Sequence, residues 1–192
     1  MQIKNNDDYK TALELASNII LNGGIILYPT DTVYGLGCNG LNLKAVEKIN
    51  KIKQITEFKP ISALFGHIEI AKQYCNINEE QEKILKKYLP GPYTFILPLK
   101  KAIPLSNNNT LGIRIPNNKF CIDLGKLLKI PIASTSANLT GEKPPINISE
   151  VTIKKKVDLI IDQGECNEKE SSTIVDLINN KIIRQGKAEF KF

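Results

Sequence analysis

A short polar segment directly after an apolar run is the first place where this sequence could do chemistry. Thr30, Asp31, Thr32 and Tyr34 place hydroxyl and carboxyl groups close together behind the apolar run Ile25–Tyr28. Polar loops at the ends of buried strands are where α/β proteins commonly bind ligands. A hydrogen-bonded Asx or Ser/Thr turn without a ligand has a similar composition. The segment therefore predicts a small-molecule site and leaves its reaction open.

A second segment repeats this pattern about a hundred residues later. Ser134-Thr-Ser-Ala-Asn-Leu-Thr-Gly141 follows the apolar run Ile130–Ala133 and carries hydroxyls, an amide and a glycine. We expect it to form a polar loop at the end of a buried strand. The recurrence favours two parts of one binding site over two unrelated turns.

Arg114 is a charged residue inside the apolar stretch Leu111–Pro116. An unpaired buried guanidinium costs several kcal/mol, so the side chain must reach water, a partner or an anion. One interpretation is an anion-binding residue, and the other is an arginine on a solvated face of a sheet.

The residue inventory excludes several kinds of site. His67 is the single histidine, which argues against a histidine-based triad and a multi-histidine metal centre. The sequence has no Walker A motif and no G-x-G-x-x-G, so phosphate chemistry would use scattered Lys, Arg, Ser and Thr. Four widely spaced cysteines without a C-x-x-C pair are expected to be reduced and buried: Cys38, Cys75, Cys121 and Cys166.

Charge and hydropathy indicate what the protein could bind and in which compartment it acts. The net charge of +6 fits a basic face for phosphates or nucleic acid, but also a general excess of lysine. No apolar run reaches the roughly 18 residues of a membrane helix, and the polar start at Met1–Tyr9 is unlike a signal peptide. We expect a cytoplasmic protein without a membrane segment.

Apolar periodicity predicts an alternation of helices and strands. The predicted helices are Tyr9–Leu21, Lys44–Ile52, Ile68–Tyr74, Glu79–Lys87 and Lys119–Leu128, with Ser149 capping a further short helix. The predicted strands are Ile25–Tyr28, Ile61–Phe65, Phe95–Leu99, Leu111–Pro116, Ile130–Ala133 and Leu159–Ile161, followed by a hairpin of Ser171–Leu177 and Lys181–Arg184 around Asn179-Asn180. Pro29 is expected to end the first strand, so that the chain leaves the sheet there.

Seven motifs in order carry a resemblance to a known family. They are Pro29-Thr-Asp-Thr-Val-Tyr-Gly-Leu-Gly37, Lys53 with Lys59-Pro60, Pro90-Gly-Pro92, Arg114-Ile-Pro116, Ser136-Ala-Asn138 with Gly141, Ser172-Thr173 with Asp176, and Arg184. From about Ile19 to Gly186 the chain resembles the YrdC-like threonylcarbamoyl-AMP synthase family. The resemblance implies an α/β (α+β) fold, in which helices flank a twisted mixed β-sheet with a concave basic face. It also implies one domain over residues 1–192, with a core at about 9–186 and without the C-terminal domain of the longer form.

The resemblance further implies an activity, L-threonylcarbamoyladenylate synthase. L-threonine, bicarbonate and ATP would give threonylcarbamoyl-AMP and pyrophosphate, with Mg²⁺ arriving on the triphosphate. The product would serve N6-threonylcarbamoyladenosine formation in ANN-reading tRNA through a downstream threonylcarbamoyl-transferase complex.

Site residues are carried over from the family position by position. Thr32, Arg114 and Ser172 would bind L-threonine, with Arg114 suited to its carboxylate. The residues that would bind ATP are Lys53, Lys59, Thr110, Ser134, Ser136, Asn138 and Arg184. Lys53 and Lys59 would also be catalytic through their charge, and the protein itself would hold no metal.

The chain departs from the family pattern at two places. The family usually has Lys-x-Arg-Pro after the second helix, whereas here Ile55 occupies the arginine position. Lys143-Pro144-Pro145 also stands where the family commonly has a Ser or Thr. Both departures concern the expected triphosphate site.

Two other functions stay open. A non-catalytic RNA-binding module of the same fold would also use a basic concavity, although aromatic residues make up only 6% of the chain and do not alternate with Lys or Arg. A carbamoyl-transfer module like that of hydrogenase-maturation proteins would normally lie within a much longer chain that carries zinc-finger-like cysteines.

Overall fold

Five α-helices form where apolar residues recur at helical spacing behind a capping side chain. The computed structural model describes residues 1–192, and Asn5, Asn42, His67, Asn78 and Asn118 precede the helices and accept hydrogen bonds from their first turns. The helices are α1 (Asn6–Leu21), α2 (Leu43–Ile52), α3 (Ile68–Ala71), α4 (Glu79–Tyr88) and α5 (Lys119–Leu128).

Nine strands pair into one mixed sheet. They are β1 (Ile26–Pro29), β2 (Tyr34–Asn39), β3 (Ser62–Leu64), β4 (Tyr93–Pro98), β5 (Thr110–Arg114), β6 (Ile132–Ser136), β7 (Leu159–Ile160), β8 (Thr173–Asp176) and β9 (Lys181–Arg184). The order across the sheet is β7-β1-β2-β6-β3-β5-β4-β8-β9. β1 with β7, β3 with β5, and β4 with β8 run parallel, and the other neighbours are antiparallel.

The two faces of the sheet carry separate apolar cores. Ala12 and Ala16 of α1 pack with Phe120 and Leu124 of α5 in a cluster of 11 buried residues. On the other face, α2 and α4 join a cluster of 34 buried residues. The predicted twisted mixed sheet flanked by helices is confirmed.

The first polar segment is shorter than predicted. Pro29 ends β1, but the chain returns at once as β2, and Pro29 pairs with Tyr34. The prediction that the first strand ends at Pro29 is confirmed, and residues 30–33 lie outside the sheet, but the return of the chain as β2 at Tyr34 was not predicted. The glycines of β2 belong to the strand because Tyr28 packs over them, and a Cβ on Gly37 would lie 2.8 Å from the Tyr28 ring.

The second polar segment is also partly strand. Ser134, Thr135 and Ser136 continue β6 and pair with β2, so the loop begins only at Ala137. Among the other predicted elements, α3 ends three residues earlier than expected. The short helical turn Ile148–Glu150 is capped by Asn147 and not by Ser149. The hairpin of β8 and β9 is confirmed, and its turn includes Asn180 at φ 49°.

All four cysteines are buried and unpaired, as expected. No helix is both long and apolar enough to cross a bilayer.

Candidate functional site

A cleft of about 190 Å³ opens at the middle of the sheet, over strands that are far apart in sequence. Eight of its 15 lining residues are serine or threonine, and Arg114 and Arg184 are its charged residues. Hydroxyls and guanidinium groups are donors, so the lining is suited to a polar, anionic ligand.

Arg114 lies at the end of β5 with its side chain buried. Its Nη2 donates to Asp31 Oδ1 at 2.9 Å and to Thr32 Oγ1 at 3.0 Å. Its Nε is buried and donates to no acceptor. The interpretation of Arg114 as a residue on a solvated face was therefore wrong, and the guanidinium keeps unused donor capacity.

Asp31 fixes this arginine. Its Oδ2 accepts from the backbone N–H of Asn117 at 2.9 Å, while Oδ1 faces Arg114. Only 4% of Asp31 is exposed, so the ion pair lies in a region that water reaches poorly. The carboxylate therefore sets the orientation of the guanidinium.

Thr30 organises the turn that holds Asp31 and Thr32. Its hydroxyl donates to Val33 O at 2.8 Å and accepts from the backbone N–H groups of Thr32 and Val33 at 3.1 and 3.2 Å. The segment is thus a Ser/Thr turn that also lines the cleft, and the two interpretations of its composition are compatible.

Ser172 and Arg184 form the other side of the cleft. The Ser172 hydroxyl lies 2.8 Å from the Thr94 hydroxyl, and both side chains are buried. Arg184 donates from Nε and Nη2 to Ser172 O at 3.1 and 2.8 Å. Burial and the charge of Arg114 both lower the pKa of Arg184 below its usual value, which shows that the two guanidinium groups influence each other.

A β-bulge places Arg184 there. Ile174 pairs with Arg184 while Val175 pairs with Ile182, so Ile183 is an extra residue in β9. Without this bulge, the residue at position 183, and not Arg184, would pair with Ile174. Bulges next to binding sites commonly redirect a side chain in this way.

The second polar segment contributes Ser134 and Ser136, which line the cleft, whereas Asn138 does not. The buried Tyr28 hydroxyl donates to Ser134 Oγ at 2.8 Å. Asn138 Nδ2 donates to Leu139 O at 2.9 Å and Glu142 O at 2.7 Å, which closes the turn after β6.

Lys53 lies behind this segment. Its Nζ donates to Ser136 O at 2.5 Å and Asn138 O at 2.7 Å, and 5% of the residue is exposed. Burial lowers the pKa of Lys53 to about 8, and the nearby Glu142 carboxylate opposes this change. Lys53 therefore holds the backbone of the second segment.

The structure brings together five of the residues expected at the site, and Thr32 joins them through Arg114. The five are Arg114, Ser134, Ser136, Ser172 and Arg184. Lys53, Lys59, Thr110 and Asn138 are not among the lining residues, and Thr110 instead donates to Asn108 Oδ1 at 2.8 Å.

Asp31, Thr94 and Ser171 belong to the site but received no role from the sequence. For Asp31 a signal was present, because a buried arginine requires a counter-charge and Asp31 is the acid within the first motif. For Thr94 and Ser171 only the pairing of β4 with β8 reveals the position.

The mixed sheet and its arginine- and hydroxyl-lined cleft define an α/β protein whose central cleft is suited to a small anionic ligand. The family model Sua5/YciO/YrdC, described as telomere recombination, matches residues 18–186, and the chain belongs to this family.

One similar relative comes from Methanocaldococcus jannaschii and is named "Putative threonylcarbamoyl-AMP synthase". It is 38% identical over 187 residues, which are 95% of this chain and 89% of the relative. Among solved structures, Escherichia coli YciO has a TM-score of 0.85 at 28% identity, over 98% of this chain and 95% of that one. Pyrococcus abyssi Sua5 complexed with L-threonine has a TM-score of 0.89 at 29% identity, over 97% of this chain. The present chain spans only 56% of that Sua5 chain.

Proposed function

We propose that this protein is an L-threonylcarbamoyladenylate synthase, an enzyme that makes threonylcarbamoyl-AMP and pyrophosphate from L-threonine, bicarbonate and ATP. The observation that carries the proposal is the buried Arg114, oriented by Asp31 and left with unused donors in a hydroxyl-lined cleft. Such a guanidinium suits the carboxylate of an amino acid. The names of the relatives above support the same conclusion.

The amino-acid substrate would lie between the two arginine-bearing sides of the cleft. Arg114 would hold its carboxylate, and the Thr32 and Ser172 hydroxyls would meet its ammonium and side-chain hydroxyl. Thr94 would orient Ser172 through the contact of 2.8 Å between their hydroxyls.

The chemistry requires little beyond positioning and charge. The ammonium of threonine first loses a proton to solvent, and the neutral amine then attacks the carbon of bicarbonate and gives a carbamate and water. A carbamate oxygen then attacks the α-phosphorus of ATP, and the bond from that phosphorus to the bridging oxygen breaks with its electron pair on pyrophosphate. The protein would stabilise this transfer through donors aimed at the phosphate oxygens.

For ATP, we propose Arg184, Ser134 and Ser136 as contacts in the cleft, with Mg²⁺ carried by the triphosphate. Lys53 and Asn138 would act indirectly, because both hold the backbone that carries Ser136. ATP contacts of Lys59 and Thr110 remain predictions from the family resemblance.

The fate of the product, the compartment and the extent of the domain are also proposed. The product would be consumed by a threonylcarbamoyl-transferase complex that modifies tRNA, and the cytoplasm would supply both the ATP and the reducing conditions that free thiols require. Residues 1–192 would act as one domain, with a core at about 9–186, in keeping with the single continuous sheet.

The test is a pyrophosphate-release assay with ATP, bicarbonate and L-threonine, each omitted in turn. We expect pyrophosphate only when all three are present. Equal release without threonine, or no release by folded protein, contradicts the proposal. Tight, salt-sensitive RNA binding without turnover would instead indicate the RNA-binding module.

A further inference from the structure

The segment directly after β9 folds back against β4 and α4. We call residues 185–191 the strap. Phe190 of the strap is 6% exposed, and its ring packs against those of Tyr88 and Tyr93 at centroid distances of 4.7 and 6.3 Å. The Tyr93 hydroxyl donates to Glu189 O at 2.8 Å. The strap is therefore fixed to the sheet by a buried aromatic ring and by its own backbone.

Thr173 of β8 fastens the beginning of the strap. Its side chain is fully buried, and its hydroxyl donates to Ala188 O at 2.6 Å and accepts from Gly186 N at 3.0 Å. A Cβ on Gly186 would lie 2.3 Å from Ser171 O and 3.0 Å from the carbonyl carbon of Ser172. The strap thus lies directly on the backbone of this part of the chain, with no room for a side chain between them.

Ser172 is held from two sides, by the strap and by Arg184. Arg184 donates from Nε and Nη2 to Ser172 O at 3.1 and 2.8 Å, and its Nη2 also donates to Ser172 Oγ at 3.3 Å. Ser172 and Ile174 line the cleft, whereas Thr173 does not, because side chains alternate along an extended chain. Thr173 therefore cannot touch a ligand in the cleft, and it can act on one only through its neighbours.

We propose that Thr173 and the strap position the threonine-binding side of the cleft. They hold the backbone of Ser172, and the carbonyl group of Ser172 in turn holds the guanidinium of Arg184. The inference rests on the proposed function, in which the Ser172 hydroxyl meets the amino acid. A displacement of a binding group by about 1 Å can reduce a rate about a hundredfold, so a clamp on the adjacent residue is sufficient to affect substrate binding.

The experiment removes the Thr173 hydroxyl while keeping a side chain of similar shape. Thr173→Val loses both hydrogen bonds to the strap, whereas Thr173→Ser keeps the hydroxyl and tests rescue. Phe190→Leu loosens the other end of the strap and decides the question if Thr173→Val does not fold. Ile20→Ala creates a cavity in the core on the opposite face of the sheet and is the control for lost stability.

Two readouts are measured, the steady-state kinetics with threonine varied and the exchange of the Arg184 Nε proton with water. The exchange is followed by ¹H–¹⁵N NMR, and the resonance is assigned by its absence from Arg184→Lys. We expect Thr173→Val to raise KM for threonine roughly tenfold or more, with kcat changed by at most about twofold. The Nε proton should exchange faster because its bond to Ser172 O is weakened.

Phe190→Leu should change both readouts in the same direction, and Thr173→Ser and Ile20→Ala should match the native protein in both. A purely structural role would reduce the amount of active protein, which lowers kcat and leaves KM unchanged. An unchanged KM for threonine in active Thr173→Val protein overturns the inference and leaves the synthase. An equal rise in KM in Ile20→Ala overturns it as well, since the effect would then follow from stability alone.

The proton exchange separates this inference from the proposed function, because it requires no turnover. If the native protein lacks threonine-dependent pyrophosphate release, the synthase is removed. Faster exchange in Thr173→Val than in Thr173→Ser would then still support the positioning of Ser172 and Arg184. Equal exchange in the two variants would remove the positioning role too.

Discussion

The charge balance around Arg114 decides what the cleft attracts. Asp31 compensates one guanidinium through a single nitrogen, while Arg184 has only neutral oxygens as partners. The cleft therefore keeps a positive charge at low water content, where electrostatic interactions are stronger than in bulk water. Burial first and the charge of Arg114 second lower the pKa of Arg184, and an anionic ligand would offset the repulsion between the two arginines.

Asp31→Asn should damage both stability and threonine binding. Asp31 accepts from Arg114 and from Asn117 N–H with different oxygens, and asparagine would turn a donor towards one of them. We expect a loss of about 3 kcal/mol in the free energy of unfolding, the order found when a buried ion pair loses one partner. KM for threonine should rise about tenfold or more. Urea unfolding and threonine kinetics measure the two effects.

The control for this change is Asp123→Asn. Asp123 also pairs with a cation, Lys119, but on the surface and within one helix, and its Oδ2 accepts from the Tyr9 hydroxyl at 2.6 Å, a bond that asparagine can keep through its own oxygen. Exposed pairs of this kind contribute at most about 1 kcal/mol. A similar loss in both variants, or normal threonine kinetics in Asp31→Asn, would show that Asp31 does not position Arg114.

Lys53 predicts a pH dependence of stability. Since burial lowers its pKa to about 8, the unfolded chain keeps a proton that the folded chain releases between about pH 8 and 10. The unfolded state then binds more protons, so this residue makes stability rise with pH in that window. Below about pH 8 the cost of the buried charge is present in full.

The measurement compares wild type with Lys53→Met, so that all other titrating groups cancel. The stability of wild type relative to the variant should increase by roughly 1–2 kcal/mol between about pH 7.5 and 9.5. Lys155→Met changes an exposed lysine and should give a flat difference. A flat difference for Lys53→Met as well would mean that its ammonium is solvated.

At the scale of elements, the local sequence pattern predicted most helices and strands but assigned the polar strand residues to loops. Ser134, Thr135 and Ser136 have the composition of a loop, yet they are strand residues because β2 supplies their pairing partners. β2 itself contains Gly35 and Gly37, which lower strand propensity. Both are accommodated because Tyr28 packs over them. Such tertiary support does not show in local propensity.

Close packing of α5 on the bend at Gly66, just after β3, gives a prediction at this scale. A Cβ on Gly125 would lie 2.3 Å from Gly66 N and 2.7 Å from Gly66 Cα. Glycine to alanine within an exposed helix gains about 1 kcal/mol, but here the backbone atoms cannot yield. We expect Gly125→Ala to lower the free energy of unfolding by about 2 kcal/mol or more.

Urea unfolding at equilibrium measures this effect. Lys126→Ala changes the next residue of α5, which is exposed, and should alter stability by no more than about 0.5 kcal/mol. A stabilised Gly125→Ala protein would contradict the tight approach of α5 to Gly66.

At the scale of the whole molecule, the site is a product of sheet order. Thr30, Thr94, Arg114, Ser134 and Ser172 come from five separate regions of the chain, yet they line one cleft. Their order in the sequence was enough for the family resemblance. Contacts such as that between Asp31 and Arg114, 83 residues apart, depend on strand pairing that no local pattern specifies. For the same reason Lys53 was expected at the ligand, whereas the fold turns it towards backbone carbonyls.

Because the cleft joins distant strands, threonine binding should stabilise the entire fold. A ligand at about a hundred times its dissociation constant adds roughly 2.7 kcal/mol. For a chain of 192 residues this corresponds to a rise in the thermal midpoint of roughly 5–10 °C. Differential scanning fluorimetry with L-threonine measures it. L-valine, which lacks the hydroxyl, should give a smaller shift because polar groups of the site would stay unpaired.

Arg114→Ala tests whether this stabilisation passes through the proposed carboxylate contact. Loss of a charge-assisted hydrogen bond weakens binding by roughly 1.5–3 kcal/mol, so the same threonine concentration should shift the midpoint by only about a tenth to a half of the native value. The variant leaves Asp31 without its partner and should melt earlier on its own, so the shift caused by the ligand is the relevant readout and not the midpoint. An undiminished shift would place the threonine carboxylate elsewhere in the cleft, with Arg184 as the remaining arginine that could hold it.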